Sequence, residues 1–319
     1  MDFLLVVSGL ALLLGAGDAL VRGAVSLSLR IGVPALIVSL TVVAFGTSAP
    51  ELLIAVQAAL EDAPGIAMGN VVGSNVANVL LVLGVPALIS TIDNRDCETM
   101  RSFAQMIFGS IVFIALCFLG PLTWWHGLIL LGMLGMILWD SVAAARRHRR
   151  DARNCEPAPD LADELEDADP DMAWWKILGL LAAGLAGLPL GAHLLIDGAR
   201  SLALDWGVSE AAIGLTLVAV GTSLPELATT VTAAIRKQAD VALGNVIGSN
   251  IFNLVGIMGA AVVIAPIQVG QRFLQLDLWV MLASSLLLLP FVMRWLTMGR
   301  AVGAGLLALY VLYAASAFA

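Results

Sequence analysis

The sequence predicts an all-α membrane protein with ten transmembrane helices in two inverted five-helix repeats. Of its 319 residues, 60% are hydrophobic and 13% are charged, about half the charged fraction of a soluble domain. The motif GTSAPE at 46–51 returns as GTSLPE at 221–226, an offset of 175 residues (226 − 51). Because five spans per copy is an odd number, the second copy must enter the membrane from the opposite side.

The internal repeat extends beyond this motif. At the same offset, GNVVGSNVAN at 69–78 matches GNVIGSNIFN at 244–253. Residues 41–84 and 216–259 are identical at 21 of 44 positions without a gap. The chain is therefore two copies of one unit.

The apolar stretches define the predicted spans, since a membrane-crossing helix needs about 20 apolar residues. They are 3–29, 34–60, 66–90, 103–120, 124–142, 173–196, 210–235, 241–265, 274–292 and 300–318. The first repeat is then 1–142, a cytoplasmic linker is 143–172 and the second, inverted repeat is 173–319. No basic residue precedes the first span, which argues against a cleaved signal peptide.

Lys and Arg predict the orientation. With both termini outside, 14 of the 16 basic residues fall in inner loops, and only Arg200 and Arg272 lie outside. The positive-inside rule therefore predicts a multi-pass protein of the cell inner (plasma) membrane with a cytoplasmic central loop.

The linker begins basic and ends acidic, which favours a topology anchor followed by a solvated segment. A regulatory calcium loop is the alternative for Asp167, Asp169 and Asp171. No glycine follows them, and Leu178 stands where such a loop needs a bidentate glutamate. The three cysteines, Cys97, Cys117 and Cys155, are too scattered for a disulfide framework or a metal site.

Each repeat keeps a glutamate, Glu51 or Glu226, inside a hydrophobic span. A carboxylate at membrane depth costs several kcal/mol, so such residues mark functional sites. Two of them at equivalent positions of a duplicated unit predict a cation site between the repeats.

Pro50 and Pro225 lie mid-span, where proline removes a main-chain hydrogen bond and opens the helix. Opened carbonyls at membrane depth line a cavity or bind a ligand. The neighbours exposed by this distortion are Ala44, Thr47, Ala219 and Thr222, and the adjacent hydroxyls are those of Thr47, Ser48, Thr222 and Ser223. Carboxylate, carbonyl and hydroxyl oxygens suit hard cations such as Ca²⁺ and Na⁺.

The second motif places polar residues on one helix face at i, i+4 and i+8. These stripes are Asn70, Ser74 and Asn78 in the first repeat and Asn245, Ser249 and Asn253 in the second. They are predicted to face the carboxylates, with interhelical contact as the alternative. Asn75 and Asn250 are predicted to bond to neighbouring backbone.

GTSAPEL and GTSLPEL, each followed by GN-x-x-GSN, resemble the calcium/cation antiporter superfamily, and within it the prokaryotic sodium/calcium exchangers. The resemblance covers nearly the whole chain apart from the linker. It implies a carrier, not an enzyme, that exports Ca²⁺ in exchange for Na⁺ by alternating access. Its partners would be the two ions and the bilayer, with no cofactor and no nucleic acid; the oligomeric state stays open.

The resemblance also implies residue roles. Glu51 and Glu226 would be shared Ca²⁺/Na⁺ ligands, and backbone oxygens of Thr47 and Thr222 would complete the Ca²⁺ site. The flanking Na⁺ sites would use Ser48, Ser223, Ser74, Ser249 and the carbonyls of Ala44 and Ala219.

One position departs from the family pattern. Asn78 matches it, whereas relatives that include potassium-dependent exchangers carry aspartate where this chain has Asn253. The resemblance therefore implies exchange independent of K⁺, and electrogenic exchange if more than two Na⁺ are exchanged for each Ca²⁺. Proton/calcium members carry GNATE rather than GTSxPE, which argues against the alternative of H⁺ coupling.

Two further classes are less compatible with the sequence. Gly15 to Asp18 reads GAGD, as in intramembrane aspartyl proteases, but a catalytic dyad needs a second aspartate. Asp18 and Arg22 instead predict a local i, i+4 ion pair. A passive cation channel would use the same ligands, but inverted repeats with broken helices favour a carrier.

Overall fold

The computed structural model describes residues 2–92, 99–152, 172–205 and 221–316. Its helices are α1 (Asp2–Ile31), α2 (Ala35–Thr47), α3 (Ala49–Leu60), α4 (Pro64–Ile89), α5 (Thr99–Phe118), α6 (Trp124–Ala152), α7 (Trp174–Asp205), α8 (Leu224–Ile235), α9 (Ala239–Ile264), α10 (Phe273–Val292) and α11 (Arg300–Ser316). Seven are long and apolar enough to cross a membrane, and the bent pair α2–α3 makes up to eight. The shorter helices α8 and α11 are also apolar. The protein is therefore an all-helical, multi-pass membrane protein.

Each predicted span overlaps a helix of the described chain, and the boundaries show where hydropathy is a poor guide. α6 was expected to end at 142 but continues to Ala152, because the added residues are mostly alanines and arginines, with no glycine or proline. α7 likewise continues past 196 to Asp205. The linker part 153–171 and the first part of the predicted span 210–235 lie outside the described residues.

The predicted opening near each proline is present. The helix axis bends by 47° between α2 and α3. Ser48 at the break has φ −84° and ψ 9°, and Pro50 lies in the first turn of α3. Ser223 has φ −88° and ψ 4° before α8, with Pro225 in the equivalent place. Both prolines begin new helices, where the missing N–H is not needed.

Other backbone features also recur at the offset of 175. The turn after α3 contains Asp62 with φ 52°, and the turn after α8 contains Lys237 with φ 56°. α4 contains a wide π-helical turn at Asn78–Val82, and α9 contains one at Phe252–Ile257. Such turns are rare and often lie at functional sites.

α4 and α9 form the centre of the protein. The apolar windows of these two helices are 72% and 78% buried, against 33% for α1. Their side chains, including Met68, Val76 and Ile247, belong to the largest hydrophobic cluster. The second motif of each repeat is therefore at the core.

α1 and α7 pack closely and in opposite directions. A Cβ on Gly9 would lie 2.5 Å from the Leu195 nitrogen, and one on Gly184 would lie 2.6 Å from the Leu20 Cβ. The start of each helix therefore meets the end of the other. Glycine is required at both contacts because no side chain fits between the backbones.

Candidate cation-binding site

The two glutamates begin two half-helices. Glu51 lies in the first turn of α3 and Glu226 in the first turn of α8, and each side chain is 1% exposed. The start of a helix carries partial positive charge, which favours a carboxylate. Ser48, at the break just before Glu51, lies within hydrogen-bond distance of the Glu226 carboxylate. The breaks before α3 and α8 therefore place two acidic groups together in the protein interior.

The residues before Pro50 reach into the other repeat. The Ser48 hydroxyl donates a hydrogen bond to Glu226 Oε1 at 3.2 Å. The Thr47 hydroxyl lies 3.4 Å from Asn245 Oδ1 and 3.3 Å from the Ala44 carbonyl oxygen. Both side chains are buried. The end of α2 thus faces the start of α8, and one site draws on both motifs.

Two of the predicted stripe residues bond to main-chain carbonyl groups rather than to the carboxylates. Asn70 Nδ2 donates to the Glu51 carbonyl oxygen at 3.0 Å. Asn245 Nδ2 lies 3.4 Å from the Glu226 carbonyl oxygen and also donates to the Thr230 hydroxyl at 3.1 Å. This is the interhelical role that the sequence left as an alternative for these asparagines.

Asn250 was predicted to bond to neighbouring backbone; it does bond to backbone, but to that of Asn75 in the other repeat, and it also contacts a side chain there. Its Oδ1 accepts a hydrogen bond from Asn78 Nδ2 at 3.1 Å, and its own Nδ2 lies 3.4 Å from the Asn75 carbonyl oxygen. Asn75 does bond locally, to the Val71 carbonyl oxygen at 2.8 Å. The only signal for Asn250 in the sequence was its place inside the repeated motif.

Six buried oxygens of the predicted site residues have no hydrogen-bond partner among the described residues. They are Glu51 Oε2, Glu226 Oε2, Asn78 Oδ1, Asn253 Oδ1, Ser223 Oγ and Ser249 Oγ. A buried polar atom without a partner costs about 1–3 kcal/mol. Such atoms call for an explanation, and an ion is one of the accepted explanations. The carboxylate and amide oxygens come in pairs, one from each repeat, whereas both serine oxygens belong to the second repeat.

The remaining predicted ligands are less uniform. Ser74 is buried, whereas Thr222 is half-buried. The Ala44 carbonyl already accepts from the Ser48 amide at 3.1 Å and from the Thr47 hydroxyl. A cation at this carbonyl would therefore replace the Thr47 hydroxyl, since a carbonyl has two lone pairs. Ala219 lies outside the described residues.

The donor set determines which cations fit. No group of three or more His, Cys, Asp or Glu side chains that suits a metal occurs in the described ranges. The site instead combines two carboxylates with amide and hydroxyl oxygens, the ligands of Ca²⁺ and Na⁺. Thiolate and imidazole ligands, which copper and zinc prefer, do not take part.

The family model for sodium/calcium exchanger proteins matches residues 1–142 and 176–319. The chain belongs to the sodium/calcium exchanger family. It is 31% identical over 342 residues to the sodium/calcium exchanger MaX1 of Methanosarcina acetivorans, covering 98% of this chain and 97% of that protein. It is 33% identical over 284 residues to the inner membrane protein YrbG of Escherichia coli, covering 89% and 86%.

A solved structure gives the same result for the fold. The sodium-calcium exchanger NCX_Mj, soaked with Na⁺ and Sr²⁺, superimposes with a TM-score of 0.81 at 31% identity, covering 98% of this chain and 97% of that one. This exchanger of sodium and calcium is thus a membrane antiporter and not an enzyme. The GAGD string does not mark a protease, because Asp18 forms ion pairs with Arg22 and Arg236.

Proposed function

We propose that this exchanger exports Ca²⁺ from the cell in exchange for Na⁺ by alternating access. Six unpartnered buried oxygens, two of them from the carboxylates of Glu51 and Glu226, carry this proposal. Two negative charges balance one Ca²⁺, and the same carboxylates can instead be neutralised by Na⁺. Competition of the two ions for shared ligands couples their movements, because the site holds one set or the other.

The assignment of ligands follows the geometry and the family resemblance. Glu51 and Glu226 hold either ion, and Asn78 and Asn253 supply amide oxygens at the centre. The supporting ligands are the backbone oxygens of Thr47 and Thr222 for Ca²⁺, and Ser48, Ser223, Ser74, Ser249 and the carbonyls of Ala44 and Ala219 for flanking Na⁺.

The proposed architecture has ten spans, with the first repeat at 1–142 and the second, inverted repeat at 173–319. The opposite directions of α1 and α7, which occupy equivalent places in the two repeats, support the inversion. The distribution of basic residues supports an orientation with both termini outside and the linker 143–172 in the cytoplasm. The similarity to an inner membrane protein supports the same location here.

The central site has two ionisable groups, since position 253 is asparagine. No third cation is needed to offset surplus charge, so exchange should not require K⁺. With more than two Na⁺ per Ca²⁺, as the family resemblance implies, each cycle moves net charge. Such transport responds to voltage by about 2.3 kcal/mol per charge per 100 mV.

The test is ⁴⁵Ca²⁺ uptake by purified protein in liposomes, driven separately by outward Na⁺, H⁺ and K⁺ gradients. We expect uptake with the Na⁺ gradient alone, unchanged when choline replaces K⁺ and altered by an imposed membrane potential. Uptake with the H⁺ gradient alone would identify a proton antiporter, and uptake without any counter-ion a channel. Flux that needs K⁺ or ignores voltage would contradict the finer assignment.

A further inference from the structure

The two glutamate helices end differently. Asp18 of α1 binds Arg236, the residue that follows α8, with Arg236 Nε 2.6 Å from Asp18 Oδ1. The other oxygen, Asp18 Oδ2, lies 3.1 Å from Arg22 Nε. The i, i+4 pair that the sequence predicted is present, and an ion pair to the other repeat accompanies it.

α1 also lies directly against α8 beside this ion pair. A Cβ on Gly17 would be 2.9 Å from the Thr232 hydroxyl oxygen and 3.1 Å from the Ala228 carbonyl oxygen. Ala228 is 8% exposed. No space remains between the two helices along this contact.

The offset of 175 maps Asp18, Arg22 and Arg236 onto His193, Asp197 and Glu61. These three residues bond only within their own helices in the described chain. His193 Nε2 lies 3.3 Å from Asp197 Oδ2 in α7, and Glu61 accepts from Gln57 Nε2 at 2.8 Å.

The exposure of equivalent side chains on α3 and α8 shows the same difference between the repeats. Leu53, the equivalent of Ala228, is 71% exposed. α1 therefore closes on α8, whereas α7 leaves the equivalent surface of α3 open.

We propose that the Asp18–Arg236 ion pair is a lock that closes the path between the cation site and the side on which α8 ends. This inference rests on the proposed alternating access. α8 has Glu226 at its start and Arg236 at its end, so α1 fixes the helix that holds a cation ligand. Exposure of the site to that side, the cytoplasm in the proposed orientation, requires the ion pair to break.

Among the described residues, the other side has no equivalent lock. If α7 closed on α3, Glu61 would meet His193 and also Asp197, whose charge repels it. Arg236, by contrast, keeps its charge at every physiological pH. The chemistry of the two ends therefore favours the state that is closed where α8 ends.

The experiment is hydrogen–deuterium exchange by mass spectrometry on the full-length protein in lipid nanodiscs, which needs no transport. In Arg236→Gln and Asp18→Asn, peptides covering 14–24 and 228–238 should exchange roughly five-fold faster, the factor expected for an ion pair worth about 1 kcal/mol. The double variant should be no faster than Asp18→Asn, because that change alone already removes the contact with Arg236. The exchange rate of Arg236→Lys, which keeps the charge, should lie between those of wild type and Arg236→Gln. This variant replaces Arg236→Gln if the latter does not fold.

The matched controls are Glu61→Gln and His193→Gln, which remove the equivalent groups of the other repeat. They should leave the hydrogen–deuterium exchange of residues 228–238 unchanged. Unchanged exchange in the lock variants, or an equal increase in the controls, would overturn the lock.

Flux assays separate this inference from the proposed function. Wild-type protein could show no Na⁺-driven ⁴⁵Ca²⁺ uptake while the lock variants exchange hydrogen for deuterium faster. The proposed function would then be wrong, and the ion pair would still hold α1 on α8. If wild-type protein transports normally, and the lock variants match it in both hydrogen–deuterium exchange and external Ca²⁺ affinity, only the proposed lock is wrong. With the lock broken, external affinity should fall by at most roughly five-fold, because a smaller fraction of molecules faces outward.

Discussion

The glutamate helix of the second repeat is richer in hydroxyl groups than that of the first. α3 and α8 both have 12 residues and both follow a serine with nearly the same backbone angles. Their side chains differ one turn after the glutamate, where Ile54, Ala55 and Gln57 of α3 correspond to Thr229, Thr230 and Thr232 of α8.

This difference changes how each glutamate is supported. Thr230 donates to the Glu226 carbonyl oxygen at 2.7 Å and accepts from Asn245, which is fully buried. Asn70 makes its hydrogen bond to the Glu51 carbonyl but is only half-buried, and Ala55 offers it no hydroxyl. The repeats thus share a backbone and a charge, while the second holds its glutamate with an additional hydrogen bond.

The largest effect should come from the carboxylates, where the repeats are equal. Glu51→Gln and Glu226→Gln should each abolish Na⁺-driven ⁴⁵Ca²⁺ uptake, because one carboxylate leaves the divalent charge uncompensated. Both variants should fold, since removing an intramembrane charge lowers a cost. Glu61→Gln, outside the site, is the control and should transport normally. Near-normal uptake by either site variant would contradict the central assignment.

The asparagine network should show the repeats to be unequal. Asn250→Ala removes the acceptor that orients Asn78, and we expect Ca²⁺ affinity to fall about ten-fold, equivalent to about 1.4 kcal/mol. Asn75→Ala, the equivalent change, removes only a local bond to Val71 and should lower affinity less. Isothermal titration calorimetry measures both. Equal losses would mean that Asn250 has no special positioning role.

Stability should distinguish the two supporting asparagines. Asn245→Ala should lower the free energy of unfolding by about 2–3 kcal/mol, because it removes the buried hydrogen bonds to the Thr230 hydroxyl and the Glu226 carbonyl. Asn70→Ala should cost about 1 kcal/mol, since water reaches the half-buried position more easily. Denaturant unfolding in one detergent compares them. A larger loss for Asn70→Ala would reverse the comparison.

The smallest effect should come from removing the hydroxyl group at position 230 or adding one at position 55. Thr230→Ala should cost about 0.5–1.5 kcal/mol of stability, the net contribution of a typical hydrogen bond. The reciprocal change, Ala55→Thr, tests whether a hydroxyl supplies support to Asn70. The thermal unfolding temperature should rise or stay the same in Ala55→Thr and should fall in Thr230→Ala. A fall of equal size in both would indicate packing rather than hydrogen bonding.

Much of the fold could be predicted because the bilayer imposes a length on every apolar stretch. The ends of α6 and α7 could not, since hydropathy reports where apolar residues stop and a helix continues as long as its backbone bonds do. Pro50 and Pro225 were informative for a different reason. Proline constrains the backbone directly, so the helix breaks could be placed to within a few residues.

The site was predictable where a residue is costly in isolation and not where its role depends on a distant partner. Glu51 and Glu226 stand out because a buried carboxylate needs compensation. Asn250 bonds to a residue 172 positions away, and Arg236 reaches across 218 positions to Asp18. No local spacing specifies such contacts. The near partner of Asp18, Arg22, could be predicted because helix geometry alone brings the two together.

The contact between α1 and α7 has an evolutionary consequence. Gly9 meets Leu195 and Gly184 meets Leu20, so equivalent residues have equivalent neighbours. A contact of this kind is isologous, as between two identical subunits. An ancestor of half the present length, inserted in both directions, would have formed the same contact as a homodimer. Fusion of two such genes would need only a connecting segment, and positions such as 55 and 230 would then be free to diverge.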